Sequence, residues 1–463
     1  MMSAMSRRLP EQHPSRRKVL AGGLAGLGAM GLAGGLSGCG SPLAAGVAGT
    51  PLNPDSVTFW NLFGGGDGAR LQTMLEEYRK QQGSPDSLTA ATFAWGNPYY
   101  TKVVLATLGN KPPDVAVAHA TRATILAQAG LLEPITEDLL GLAGLSSSSF
   151  TKSVWEAGKV GSSYYTIPLD THPYVLFFNK QVCQQAGLLD GNGKLAPIQG
   201  KDAFEAALTA IAGVTGGAAW SASNVGDTSG SWRLFQTLYW QMDGATDFLG
   251  DDGQELTVNE ELALATMAYI GDLAKRGLLT PTVDYAGAGT QLYTGKVGFQ
   301  TQGEWEITTA QSVEGFEFGM VPIPQIFDVP AAQGDSHTFI LPKMDRTDAQ
   351  KELAMGFVKS LLDQSLTWAQ GGHVPALTAT LESAEYKALE PQADYAAAAE
   401  IAKYDPPGWY SGSGSTFENT VGSQIGLVQQ QLATPQQALD AIKVQLRTYL
   451  ETPSPVAGTT ANA

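Results

Sequence analysis

Asp170 and His172 stand two residues apart in the stretch IPLDTHPYVLFFNK, residues 167 to 180, bracketed by Pro168 and Pro173 and followed by an apolar run. A carboxyl beside an imidazole can move a proton as a general acid–base pair. The same two groups can also hold hydrogen bonds to a ligand that leaves unchanged. The rest of the chain gives catalysis little help. It has no Gly-x-Ser-x-Gly elbow, and neither cysteine has a recognisable nucleophile setting. Past the N-terminal leader the histidines are His119, His172, His337 and His373, with no pair at i, i+3 or i, i+4, so no metal site and no cofactor is read from them. Glycoside hydrolysis needs only two carboxylates flanking a bond. No motif excludes it, and a secreted glycoside-processing enzyme stays open as the alternative.

Two further features bear on ligand binding. Gly64-Gly65-Gly66-Asp67-Gly68 lies between a strand and a helix but has the spacing of neither glycine fingerprint, and no Gly-Lys-Ser/Thr follows. It reads as a loop where backbone and Asp67 approach a ligand closely, or as turn punctuation alone. Several of the nine tryptophans fall where core packing is not the obvious explanation. Trp60 ends a strand beside that loop, Trp95 lies in Ala94-Trp95-Gly96-Asn97-Pro98, Trp305 follows Gly303-Glu304, and Trp409 follows Pro406-Pro407-Gly408. A flat ring in a cleft suits the C–H face of a sugar, with carboxylates and amides taking its hydroxyls. Trp155 and Trp240 read as core, and Trp232 fits either role.

The elements that must position these groups alternate. Val57 to Phe63 reads as a strand, and Ala69 to Gln82 as a helix with Leu71, Met74, Leu75 and Tyr78 at i, i+3, i+4 and i+7. A helix from Tyr99 to Leu108, a strand from Asp114 to Ala118 and a helix from Thr121 to Ala129 follow. This order predicts a parallel sheet covered by helices. Lys159 to Tyr165 reads as a hairpin and Val175 to Phe178 as a buried strand. Helical patterns follow at 201–212, 230–242, 259–276, 347–362 and 434–450, with strands near 298–301 and 337–341. The 463 residues suit two or three domains. A formal charge of −16 argues against a nucleic-acid or anionic-membrane partner, since either needs a basic face.

The N-terminus is a targeting segment. Arg16-Arg17-Lys18 resembles a twin-arginine signal, and Leu36-Ser37-Gly38-Cys39 resembles the lipobox of bacterial lipoproteins. That resemblance implies cleavage before Cys39, lipid on its thiol, and anchoring to the outer face of the bacterial cytoplasmic membrane. Loss of residues 1–38 removes five basic residues and one acid, leaving 23 basic and 43 acidic residues, a net −20. Residues 39–54 read as a flexible tether and 453–463 as a disordered tail. With Cys39 lipidated, Cys183 has no disulfide partner and reads as a buried, inert thiol.

One family carries these pieces in this order. Phe59-Trp60 with its glycine loop, Pro113-Asp114-Val115, Glu133-Pro134, Tyr165-Thr166-Ile167-Pro168, and Asn179-Lys180 followed by Ala186-Gly187-Leu188 fit it. Gly295-Lys296-Val297-Gly298 ahead of Gly303-Glu304-Trp305 completes the order. The chain resembles the extracellular sugar-binding proteins of bacterial ABC importers, the maltose-binding-protein-like solute-binding family. The resemblance implies an α/β, two-lobed, type II periplasmic-binding-protein-like fold, each lobe a mixed sheet flanked by helices, joined by a multi-crossing hinge. Crossings are expected near Leu169 to Thr171, near Ser336 to Phe339 and after Pro375. Residues 55–169 and 338–380 would form the N-terminal lobe, and 170–337 and 381–452 the C-terminal lobe. Asp170 and His172 then lie at a crossing and read as hydrogen-bonding groups to sugar hydroxyls. By the same matching the first lobe supplies Trp60, Asn61, Asp67, Trp95 and His119. Trp232, Glu304, Trp305, Trp409 and Tyr410 come from the second. The implied function is capture of a carbohydrate, an oligosaccharide, by a monomer that is not an enzyme and delivers it to a membrane permease. A peptide or polyamine is the other solute class weighed; the tryptophans favour sugar.

Overall fold

The computed structural model describes residues 55–454. The expected leader, the expected lipidation site at Cys39, the expected tether up to residue 54 and all but the first two residues of the expected tail lie outside them.

The first sheet contains, in spatial order, Leu88–Thr92, Val57–Asn61, Val115–His119, His337–Ile340 and Ile167–Pro168. The first three strands are parallel, and His337–Ile340 runs antiparallel to Val115–His119. Val57–Asn61 is buried at every position, as expected for a strand covered on both faces. The helix Gly65–Gln82 packs Leu71, Met74, Leu75 and Tyr78 on this sheet and ends at Gly83. There φ of 66° lets the Gly83 N–H reach the last carbonyls without a Cβ penalty. Each of those four side chains stabilises the lobe by roughly 1.5–3 kcal/mol through burial. The expected glycine loop is shorter than its sequence implies, because the helix already starts at Gly65 and only Gly64 stays extended.

The second sheet is built around Asp170–Asn179, ten residues without an exposed side chain. Its ladder changes partners at Pro173. Before the proline, Asp170 and Thr171 pair with Val374–Pro375, and His172 and Pro173 with Ala332–Asp335. After it, Tyr174 to Asn179 pair with Phe299–Gly303 and Phe318–Pro322. Proline has no N–H for a ladder, and the residue before it is pushed to extended backbone, so the strand can begin at Asp170, earlier than the expected Val175. At the far end the Asn179 side chain accepts the Val182 N–H at 3.0 Å and caps the helix Lys180–Gln185. Cys183 is buried on that helix, and burial pushes its thiol up to about 12, as an inert thiol requires.

The chain passes between the sheets at two tight points and once more at Val374–Pro375, which pairs with Asp170 and Thr171. It leaves the first sheet at Pro168 and enters the second at Asp170. It returns from Asp335 in the second sheet to His337 in the first. His337, placed by the sequence boundaries in the second lobe, opens a strand of the first and lies directly opposite His119. Among the described residues no helix is long and apolar enough to cross a membrane.

Candidate functional site

Between the sheets lies a cavity of about 370 Å³, at the small end of the 300–1,000 Å³ usual for ligand pockets. Leu62, Phe63, Gly64 and Asp67 reach it from the end of the first strand and the helix behind it, with Trp95 and His119 beside them. His172 and His337 enter from the two crossings. Asp227, Arg233, Tyr285, Trp305 and Ser413 close the other side.

Trp305 is half-buried and fixed from several directions. Its indole Nε1 donates to the Tyr285 hydroxyl at 2.9 Å, and that hydroxyl donates to Glu306 Oε1 at 2.8 Å. The Arg233 guanidinium lies 5.1 Å from its ring centre, a cation–π distance. Gly303 makes room for the ring, because any Cβ there would overlap the indole. Arg233 is itself buried and paired with Glu418 at 3.2 Å.

Asp170 is the organising acid at the base. It is wholly buried and accepts from the His337 backbone N–H at 2.9 Å and from Trp368 Nε1 at 2.6 Å. His337 Nδ1 lies 2.9 Å and His172 Nδ1 3.2 Å from its two oxygens. Burial raises its proton affinity, but the His337 and His373 imidazoles and these hydrogen bonds outweigh that and hold it well below the usual carboxylate range. Burial drives His119 well below its ordinary value and His172 down to about 4. For His337 burial acts the same way, yet the Asp170 carboxylate overrides it and the value rises.

Behind them His373 stacks on Trp368, with Nε2 at 3.9 Å from both Asp67 Oδ2 and Asp170 Oδ2 and 3.8 Å from Glu304 Oε1. Neither nitrogen of His373 and neither carboxylate oxygen of Glu304 has a hydrogen-bond partner. Burial pushes Asp67 up to about 7 and Glu304 well above its usual value.

Five of the residues chosen from sequence therefore line the cavity: Asp67, Trp95, His119, His172 and Trp305. The others do not. Trp60 points into the first-lobe core against Phe93. Asn61 is buried and ties the strand end together, donating to the Ala91 carbonyl and accepting from Phe63 N and Thr92 Oγ1. Asp170 and Glu304 lie beneath the surface with no exposure. Trp232 is in the second-lobe core, its Nε1 donating to Asp405 at 2.8 Å. Trp409 and Tyr410 pack on Tyr449 of the last helix, and Trp409 borders a separate groove with Val160, Tyr165 and Asp251. Leu62, Phe63, Gly64, Asp227, Arg233, Tyr285, His337 and Ser413 were not chosen. Of these, His337 and Gly64 carried a signal, His337 at an expected crossing and Gly64 in the glycine loop read as approaching a ligand.

The lobes touch at both rims of the cavity. Gly66 in the first-lobe helix abuts Thr308, and Gly96 abuts Gly414, where a Cβ would come within 2.9 Å of Gly96 Cα. Thr121 Oγ1 donates to Asp335 and accepts the Ser413 N–H at 3.2 Å. These contacts describe a shut cleft. Gly66→Leu, at a helical position, places a side chain where Thr308 sits. It is expected to lower ligand affinity about tenfold, or about 1.4 kcal/mol, with little change in unliganded stability. Titration calorimetry and small-angle scattering check this, and unchanged affinity with an unchanged radius of gyration would refute it.

Two sheet-based lobes, joined by short crossings and shut over a polar, aromatic-lined cavity, define a cleft-type solute binder. The chain belongs to the bacterial extracellular solute-binding protein family, whose model matches residues 66–365. It is therefore an exported solute-binding protein. No curated protein matches its sequence. Among solved structures it is similar to the GacH receptor of Streptomyces glaucescens GLA.O, determined unliganded and with acarbose, with a TM-score of 0.70 and 18% identity over 86% of this chain and 99% of that one. The cyclic alpha-maltosyl-1,6-maltose binding protein from Arthrobacter globiformis gives 0.66 and 20% over the same shares. UgpB from Mycobacterium tuberculosis, in complex with glycerophosphocholine, gives 0.69 and 16% over 86% and 98%. The fold is thus the type II periplasmic-binding-protein fold, α/β with mixed sheets flanked by helices.

Proposed function

We propose that this chain captures a carbohydrate between its lobes and delivers it to the membrane permease of an ABC importer, tethered by lipid on Cys39 and chemically unreactive toward its cargo. One observation carries the reading: indoles from both lobes, Trp95 and Trp305, line a single cavity together with hydrogen-bonding Asp67, Asp227, Arg233 and His172. Apolar faces with polar groups at the edges match the two-sided surface of a pyranose. The names of its structural neighbours support the class, since most of those reported bind sugars. A cavity of about 370 Å³ favours a short saccharide over the longer oligosaccharide expected from sequence. The lobe built on the first sheet, His337 included, moves against the lobe built on the second, and ligand favours closure because only the shut form lets both halves touch it.

A thermal-shift screen of mono- and oligosaccharides tests this. A ligand at 100 times its Kd adds about 2.7 kcal/mol to apparent stability. At least one mono- or disaccharide should raise the transition, and recovered sugar should be unaltered. Accumulating reducing ends would move the chain to the enzyme class, and a screen in which only peptides or polyamines register would move it to another solute.

A further inference from the structure

The histidines, isolated in sequence, are gathered in space. His119 ends one strand, His172 lies near the start of another, and His337 begins a third. Each offers a ring nitrogen within 4.8 Å of the other two. We propose that His119, His172 and His337 bind a first-row divalent transition ion of the zinc class, with its fourth position open to the cleft.

The supporting groups are those a three-histidine site requires. Imidazole suits zinc, copper, nickel and iron, and such ligands characteristically hold their second nitrogen on a carboxylate or other oxygen. Here Nδ1 of both His172 and His337 is on Asp170, and Nδ1 of His119 is 2.8 Å from the Tyr100 hydroxyl. Nε2 is the nitrogen left on all three rings, and all three line the cavity. The strands fix them: His337 lies directly opposite His119, and His172 directly opposite Asp335, the residue two before His337. The His172 and His337 rings stack at 4.1 Å, and those of His119 and His337 lie 4.8 Å apart.

The Asp170 carboxylate, which lies against Nδ1 of two of the three rings, supplies the negative charge nearest the ion. Ring nitrogens that now come within 4.8 Å of one another would have to reach the spacing of about 3.4 Å set by Zn–N bonds of about 2.0–2.1 Å in a tetrahedral site. Binding displaces any proton on Nε2, while each Nδ1 keeps its existing partner. The ion would sit on the first lobe and the crossings, and its open position would meet whatever the second lobe brings against it.

The test is titration of chelator-treated protein with Co²⁺ and Zn²⁺. One equivalent should bind, cobalt should show the visible d–d bands of a tetrahedral ion, and X-ray absorption of the zinc form should show imidazole nitrogens at about 2.0–2.1 Å. His119→Gln and His172→Gln, each checked for intact thermal unfolding, should weaken binding at least 100-fold. Asp170→Asn should weaken it about 10- to 100-fold. Absence of stoichiometric binding, an all-oxygen shell, or unchanged affinity in both folded glutamine variants would overturn the assignment. Saccharide titration of the metal-free protein reads separately, so the two proposals can fail independently.

Discussion

Trp305→Ala is expected to weaken the best saccharide more than tenfold while leaving the unliganded protein folded. The indole is the cavity's best-anchored aromatic surface, held by Tyr285 on one edge and by Arg233 across its face. Anchors of this kind carry a disproportionate part of a binding energy, about 2 kcal/mol or more on truncation, which corresponds to roughly 30-fold. The cost to stability stays small for a structural reason. Trp305 is half-buried, Tyr285 keeps its hydrogen bond to Glu306, and Arg233 keeps its pairing with Glu418. Calorimetric titration decides the matter, and an affinity equal to that of the unsubstituted protein would remove Trp305 from the site.

Asp170→Ala should act in the opposite way, on the fold before the ligand. Removing this carboxylate strands the His337 backbone N–H, the Trp368 indole N–H and the Nδ1 groups of two buried histidines. Breaking a buried charged network by deleting one partner costs about 3–5 kcal/mol. Urea unfolding of the unliganded variant should show a loss of that order. A loss below about 1 kcal/mol would mean that the crossing does not depend on this acid.

Much of the scaffold was legible in sequence because its signals are local. Leu71, Met74, Leu75 and Tyr78 declare a helix face by spacing alone, and the structure buries those four. The crossing itself was implied by the family resemblance, and Pro168 and Pro173 added only that the backbone there is restricted and kept out of a helix. Site membership depends on direction, which short patterns encode poorly. Trp60 and Phe63 lie three residues apart at one strand end, yet the pleat sends the indole into the core and the turn after it brings Phe63 to the cavity. Trp232 and Arg233 are neighbours on a helix buried all round, so no polar stripe shows which of them faces the cavity. Arg233 does. The histidine cluster is the extreme case. Its members come from three strands far apart in the chain and meet through sheet register, which no motif at i+3 or i+4 spacing can report.

The partner exchange at Pro173 has a mechanical corollary. The outgoing and returning segments are fastened to one another by backbone pairing of His172 with Asp335 as well as through the Asp170 carboxylate, which in the proposed closure opposes independent sliding of the halves. What remains is rotation about one line, like a book sewn at the spine. In the proposed capture cycle the angle at which that book shuts follows the thickness of what lies between its covers, so a permease docking on both covers would in effect measure the cargo.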